Sequence, residues 1–132
     1  MTLVVDSSAV AAALTSEGPE GEWSRTAMRG QALIAPTHMH VEVSNVLRRI
    51  VLAGHFPRDL AALVHEDLAQ LRVRTVAFET LAGRVWALHP NVTAYDAAYV
   101  ALAEELDVPL LTVDRRLARA DGPTCEFLLA PD

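Results

Sequence analysis

Thr2-Leu3-Val4-Val5-Asp6-Ser7-Ser8-Ala9-Val10-Ala11-Ala12-Ala13-Leu14 changes character at Asp6. The short, β-prone apolar run before it suits a strand, and the Ala-rich run after it, opened by serine, suits a helix. Working outward from this strand-to-helix junction, the same alternation recurs to the end of the chain. Glu17-Gly18-Pro19-Glu20-Gly21 is predicted as a loop from its Gly and Pro, followed by a helix to about Arg29 and a strand at residues 32–35. Pro36 stands where helices favour starting. From there to about Ala53, Met39, Val43, Val46, Leu47, Ile50 and Val51 recur at the spacing of one buried helical face, which Gly54 ends. Pro57 opens another helix with Leu60, Leu63, Val64, Leu68 and Leu71, running into a strand at 73–76. Residues 78–88 and 94–106 are predicted helical, 109–113 a buried strand, 114–120 a short helix and 125–129 a last strand. Strands alternating with helices over short connections give an α/β fold with a parallel central sheet covered by helices on both faces.

The chain has 132 residues, which suits a single domain over 1–132. Hydrophobic residues make up 52% and charged residues 21%, a composition that folds rather than stays disordered. A single cysteine, Cys125, excludes an internal disulfide framework and any multi-cysteine metal site, and fits a reducing compartment. No apolar run reaches the ~18 residues a membrane span needs, so a cytoplasmic protein with no membrane partner is expected. The net charge of −6 argues against nucleic-acid binding driven by overall positive charge, but not against a nuclease whose metal supplies that charge locally. All 11 basic residues are Arg, which removes any mechanism resting on a lysine ammonium.

In open parallel sheets, ligands bind beyond the carboxyl ends of the strands. Asp6 follows the first strand and Asp114 follows Leu110-Leu111-Thr112-Val113. Each has a plain alternative as a helix N-cap. Asp96 opens a small, apolar helical run, where a carboxylate also favours the helix dipole. Glu42 lies nearly two turns into a helix begun at Pro36, beyond the reach of capping, and about 40° from Val46 at the edge of the apolar face. If all four converge at one end of the sheet, their mutual repulsion calls for a cation. Carboxylate-only ligation suits Mg²⁺ or Mn²⁺, which keep waters and take up substrate phosphate oxygens.

The runs Val4-Val5-Asp6-Ser7-Ser8-Ala9, Val41-Glu42-Val43-Ser44-Asn45-Val46-Leu47-Arg48-Arg49, Tyr95-Asp96-Ala97-Ala98-Tyr99-Val100-Ala101-Leu102-Ala103 and Leu111-Thr112-Val113-Asp114-Arg115-Arg116-Leu117 closely resemble the PIN-domain ribonucleases, and within them the VapC-type toxins of bacterial toxin–antitoxin pairs. The resemblance spans nearly the whole chain and rests on the order and spacing of the four segments. It implies that Asp6, Glu42, Asp96 and Asp114 form an acidic catalytic and metal site, with Asp6 and Asp96 binding the Mg²⁺ or Mn²⁺ cofactor. It also implies that Thr112, and Ser7 with it, orient those carboxylates. By the same resemblance the protein is a metal-dependent endoribonuclease that acts on RNA as a toxin and leaves a 5′-phosphate and a 3′-hydroxyl. A VapB-like antitoxin and a homodimer are the partners it implies. Some family members carry a further acid just past the position of Asp114; here Arg115, Arg116 and Leu117 follow, which weakens a second metal site.

Other readings compete. His38 and Glu42 are one helical turn apart and suggest zinc, but His38 and His40 point about 200° apart and no second histidine cluster completes a ligand set. The pairs Arg48-Arg49 and Arg115-Arg116 suit substrate phosphates, or equally solvated helix ends. Trp23 and Trp86 read as core or interface rather than base-stacking platforms. An aspartyl-phosphate phosphatase or receiver needs a lysine the chain lacks, and the dehalogenase pattern wants an Asp where Ser8 stands. A catalytically silent PIN-like module that binds RNA or a partner is the remaining alternative.

Overall fold

The computed structural model describes residues 1–132 and alternates strand and helix from end to end. Its elements are β1 (Thr2–Val5), α1 (Ser7–Thr15), α2 (Pro19–Met28), β2 (Ala32–Pro36), α3 (Met39–Leu52), α4 (Arg58–Gln70), β3 (Arg74–Val76), α5 (Ala82–Ala87), α6 (Ala94–Leu106), β4 (Leu110–Thr112), α7 (Arg115–Ala118) and β5 (Phe127–Leu129). The five strands form one parallel sheet of order β3-β2-β1-β4-β5. β1 is central: Val4 registers with Ile34 on one side and Leu110 on the other. Leu3, Val4, Val5, Leu110 and Leu111 are buried, as continuous apolar strands between two helical layers must be.

Strand order and the right-handedness of parallel crossovers fix the layers. The connections β1–β2–β3 run one way along the sheet and carry α1 to α4 over one face. The connections from β3 to β4 and β5 run the other way and carry α5, α6 and α7 over the opposite face. Contacts agree with this split, since α1 packs on α2, α3 and α4, while α5 packs on α6. α6 is the apolar spine of its face, buried continuously from Ala97 to Ala103. No helix is long and apolar enough to cross a membrane.

Several boundaries differ from the sequence reading. Pro36 closes β2 rather than opening α3, and a turn at residues 37–38 intervenes, so α3 begins at Met39. Glu42 therefore stands in the first turn of its helix, its N–H bonded to the His38 carbonyl at 3.0 Å, and not two turns in. Residues 19–21 belong to α2, which Pro19 opens at a position where its missing N–H costs nothing. Gly21 belongs in that helix because a Cβ there would sit 2.1 Å from the Ser16 carbonyl oxygen and 2.7 Å from that of Ala12, where α2 crosses the end of α1. The predicted helix at 78–88 divides into a 3₁₀ turn at Phe78–Thr80 and α5. Thr80 Oγ1 donates to the Ala77 carbonyl, the local bond by which threonine competes with helix. Gly54 ends α3 at φ 79°, as expected. Trp23 packs partly buried against the core, whereas Trp86 is 70% exposed and stacks on the His89 ring.

Candidate functional site

β1 and β4 are neighbours whose onward connections leave in opposite directions, so the crevice beyond their carboxyl ends is the topological switch point of the sheet. Asp6 and Asp114 follow these two strands. Asp6 occupies the N-cap position of α1 yet makes no cap bond, and it is only 2% exposed. Its carboxylate is held instead by two hydroxyls: Ser8 Oγ donates to Oδ2 at 2.6 Å and Thr112 Oγ1 donates to the same oxygen at 2.7 Å. Each hydroxyl in turn accepts a backbone N–H from the turn after β4, Val113 to Ser8 at 3.3 Å and Asp114 to Thr112 at 3.0 Å. Two relays from backbone through hydroxyl to carboxylate thus fix Asp6. Burial raises its pKa despite the hydrogen bonds from Ser8 and Thr112, and the charge of Asp114 pushes the same way.

Glu42 comes from the first turn of α3. The buried Tyr99, on α6, donates its phenol to Glu42 Oε1 at 2.6 Å. His38 Nε2 lies 3.3 Å from the same oxygen and 3.0 Å from the Tyr95 carbonyl, to which it donates. Burial lifts the Glu42 carboxyl above the usual range, Tyr99 and His38 oppose that, and Asp6 reinforces it. Asp96 lies in the first turn of α6, which Thr93 caps by accepting the Asp96 N–H. Its pKa rises to about 6, through burial first, then the charges of Asp6, Asp114 and Glu42, with Arg116 pulling the other way. Asp114 does cap its helix, Oδ1 accepting the N–H groups of Arg116 at 3.0 Å and Leu117 at 3.2 Å. Asp114 thus takes the plain capping role that Asp6 does not.

Asp6 thus feels Asp114, Glu42 feels Asp6, and Asp96 feels the other three. No three His, Cys, Asp or Glu side chains close around a point as a cage would require. A hard cation that keeps most of its waters needs only one or two carboxylates rather than a closed cage. The donor set fits such an ion: all oxygen, with the hydrogen bonds falling on one oxygen each of Asp6, Glu42 and Asp114. It does not fit zinc, because His38 is committed to Tyr95 and Glu42 and no second histidine or cysteine joins it around one point.

The arginines divide. Arg115 is tied to the C-terminal segment, donating to the Ala130 carbonyl at 2.7 Å and lying 3.0 Å from Asp132. Arg116 stays exposed and, with Arg119, Asn91 and Thr93, lines a cleft of about 730 Å³ that begins at Asp96. Arg48 lines a separate groove between α3 and α4, about 9 Å along the helix from Glu42, and Arg49 is exposed beside it. Of the hydroxyls near the acids, Ser8 and not Ser7 bonds Asp6; Ser7 stands beside Glu42 and Tyr99 and favours the charged form of each. Ser8 and Tyr99 escaped the sequence reading. Tyr99 had a readable signal, being three residues after Asp96 and so on the same side of α6. Ser8 forms its bond locally, at the start of α1, where the sequence offers Ser7 and Ser8 alike.

A model of the PIN domain matches residues 3–123. Ribonuclease VapC1 of Mycobacterium tuberculosis is 41% identical over 127 residues, covering 96% of each chain. Among solved structures, the fold is similar to Mycobacterium tuberculosis VapC20, a sarcin–ricin loop cleaving toxin, with TM-score 0.67, 15% identity, and 88% and 92% of the two chains covered. It is similar as well to VapBC2 of Rickettsia felis bound to a DNA fragment from its promoter, with TM-score 0.64, 9% identity, and 99% and 100% covered. At those identities the two structures speak for the fold alone.

Proposed function

Because this chain belongs to the PIN-domain family, we propose that it is an endoribonuclease, the toxin of a VapBC-type pair, and that it hydrolyses RNA phosphodiester bonds with Mg²⁺ or Mn²⁺ held by Asp6, Glu42, Asp96 and Asp114. The ribonuclease assignment follows its relatives, among them ribonuclease VapC1. The metal assignment rests on one observation: a buried Asp6, pinned by Ser8 and Thr112, whose charge reaches Glu42 and Asp96 and which feels Asp114 in turn. When bound, such an ion would lower the pKa of a water and offset the charge that develops on the phosphoryl oxygens.

The chain's own residues do the rest. Ser8 and Thr112 hold Asp6 Oδ2, which leaves its second oxygen as the one to turn to a cation. Tyr99 and His38 do the same for Glu42 through Oε1. Arg116 and Arg119 set guanidinium groups along the cleft that leads from Asp96, where they meet the phosphates of an RNA strand. A VapB-like antitoxin carrying an arginine suits the same acidic crevice, and its basic charge suits a chain of net charge −6. A homodimer is part of this reading. Phosphoryl transfer to Asp6 finds no support, since the chain has no lysine and two hydroxyls already engage a buried carboxylate.

Incubation of total cellular RNA with wild type and Asp96→Asn, each in EDTA, Mg²⁺ and Mn²⁺, tests this. Cleavage should need metal and fall by at least ~100-fold in the variant. An equally active, folded Asp96→Asn protein would remove Asp96 from the site. Cutting unaffected by EDTA would remove the metal.

A further inference from the structure

Beside Glu42, and sharing no lining residue with the arginine cleft, lies a cavity of about 260 Å³ lined by Thr37, His38, Phe78, Ala94, Tyr95 and Ala98. It is the aromatic corner of the molecule. Phe78 is 54% and Tyr95 67% exposed, among the most exposed large apolar side chains of the chain. His38 stands at the wall shared with the acids, 3.3 Å from Glu42 Oε1 and bonded to the carbonyl of Tyr95, the residue before Asp96. Its ring meets the Tyr95 and Tyr99 rings edge-on at centroid distances of 6.2 and 5.2 Å. Ala94 and Ala98 are one helical turn apart on α6 and leave room above a floor of small side chains.

Building on the nuclease reading, we infer that this cavity is a nucleobase subsite, which takes the unpaired base next to the scissile phosphate of an RNA strand. The occupant is argued from position and chemistry together. The cleft of Arg116 and Arg119 includes Asp96, and the cavity includes Tyr95, the residue before it, and His38, which touches Glu42, so a strand seated on the arginines has the cavity within a nucleotide or so of the acids. That cavity presents aromatic faces and edges, the partners that unstacked bases take in single-stranded RNA. Thr37, a polar residue in the same wall, adds a hydroxyl that can bond a base edge. A base held there has left its helix, so the subsite selects loops and single strands over duplex.

The test uses short single-stranded RNA oligonucleotides with 2-aminopurine at each position in turn, whose fluorescence is quenched by stacking. Binding is measured with wild type in EDTA and with Asp6→Asn in Mg²⁺, and cut sites are mapped on total RNA with wild type in Mn²⁺. Phe78→Ala and Tyr95→Ala are compared with Tyr95→Phe and Phe78→Tyr, all on an exposed surface where folding is readily verified by circular dichroism. The inference expects quenching at one position, affinity and KM weakened on the order of 5- to 100-fold by each alanine, a relaxed base preference at the cut, and recovery with the aromatic replacements. Unchanged affinity, quenching and cut-site preference in both alanine variants overturn it while leaving the nuclease reading intact. Wild type that binds with quenching but cuts no RNA overturns the nuclease reading and leaves the subsite. If the alanine changes weaken only a protein partner or self-association, the cavity takes an apolar protein side chain and the nucleobase assignment is wrong.

Discussion

Raising the pH from 5 to 7 in EDTA should destabilise this protein, although such a change leaves most folded proteins unharmed. The sign follows from Asp96, whose folded-state pKa of about 6 stands above the usual 3.8. Between those values the folded chain holds a proton that the unfolded chain has released, so stability is highest below the unfolded value and falls as pH rises through the folded one. A shift of about two units is worth ~3 kcal/mol at full burial, of which less than half is lost between pH 5 and 7, and since Asp96 keeps solvent contact, screening reduces that part to about 1 kcal/mol. Asp6 and Glu42, also raised by burial, act in the same direction. Glu104 is driven up by burial but held lower overall by Arg84 and Thr124, so its opposite contribution is complete below pH 5. For a chain of this size the melting temperature should drop by roughly 3–5 °C or more across the range. Thermal melts at pH 5, 6 and 7 in EDTA check it, with Asp96→Asn expected to flatten the slope and millimolar Mn²⁺ to abolish it in wild type. A wild-type melting temperature that stays level or rises, tracked by Asp96→Asn, would show that these carboxylates do not share a pocket.

Thr112→Val, nearly isosteric, removes a donor to Asp6 and the acceptor of the Asp114 N–H. It should cost about 2–3 kcal/mol in urea denaturation with metal present, and a loss under ~0.5 kcal/mol would refute the relay. Gly21→Ala drives a methyl into the Ser16 and Ala12 carbonyl oxygens. A loss of about 2 kcal/mol or more by the same assay is expected, while Gly83→Ala, where nothing lies nearby, should be neutral or stabilising. Cys125, its thiol pushed up to about 11 by burial and by Glu104, should react slowly with iodoacetamide at pH 8 and fast only once urea unfolds the chain. Rapid labelling of the native protein would contradict that environment.

The layering was legible because it is written in local periodicity. Thr2-Leu3-Val4-Val5 and Leu110-Leu111 are apolar without alternation, which only a strand covered on both faces tolerates, and α3 keeps Met39, Val43 and Leu47 on one side. What was not legible depended on the third dimension. Glu42 was misplaced within its helix because Pro36 satisfies both a strand end and a helix start, and only pairing with Val76 decides between them. Ser8 reaches Asp6 locally, two residues on at the start of α1, whereas Thr112, 106 residues away, reaches the same oxygen only once the sheet has formed. Arg115 and Arg116 look alike in sequence, and the C-terminal segment alone separates them by engaging the first.

β1 and β4, adjacent in space, are separated by more than a hundred residues of chain, and Asp6 leaves the ribosome long before Thr112 and Asp114 exist to hold it. A nascent chain halted anywhere before β4 lacks the strand that closes one side of β1 and the hydroxyl and acid that complete the crevice. Pairing over such a separation is late in folding, because the loop must be closed before the contact repays it. Under the proposed function this order is protective: products terminated before β4 carry Asp6, Glu42 and even Asp96 but lack Thr112 and Asp114, so the proposed centre cannot assemble in them.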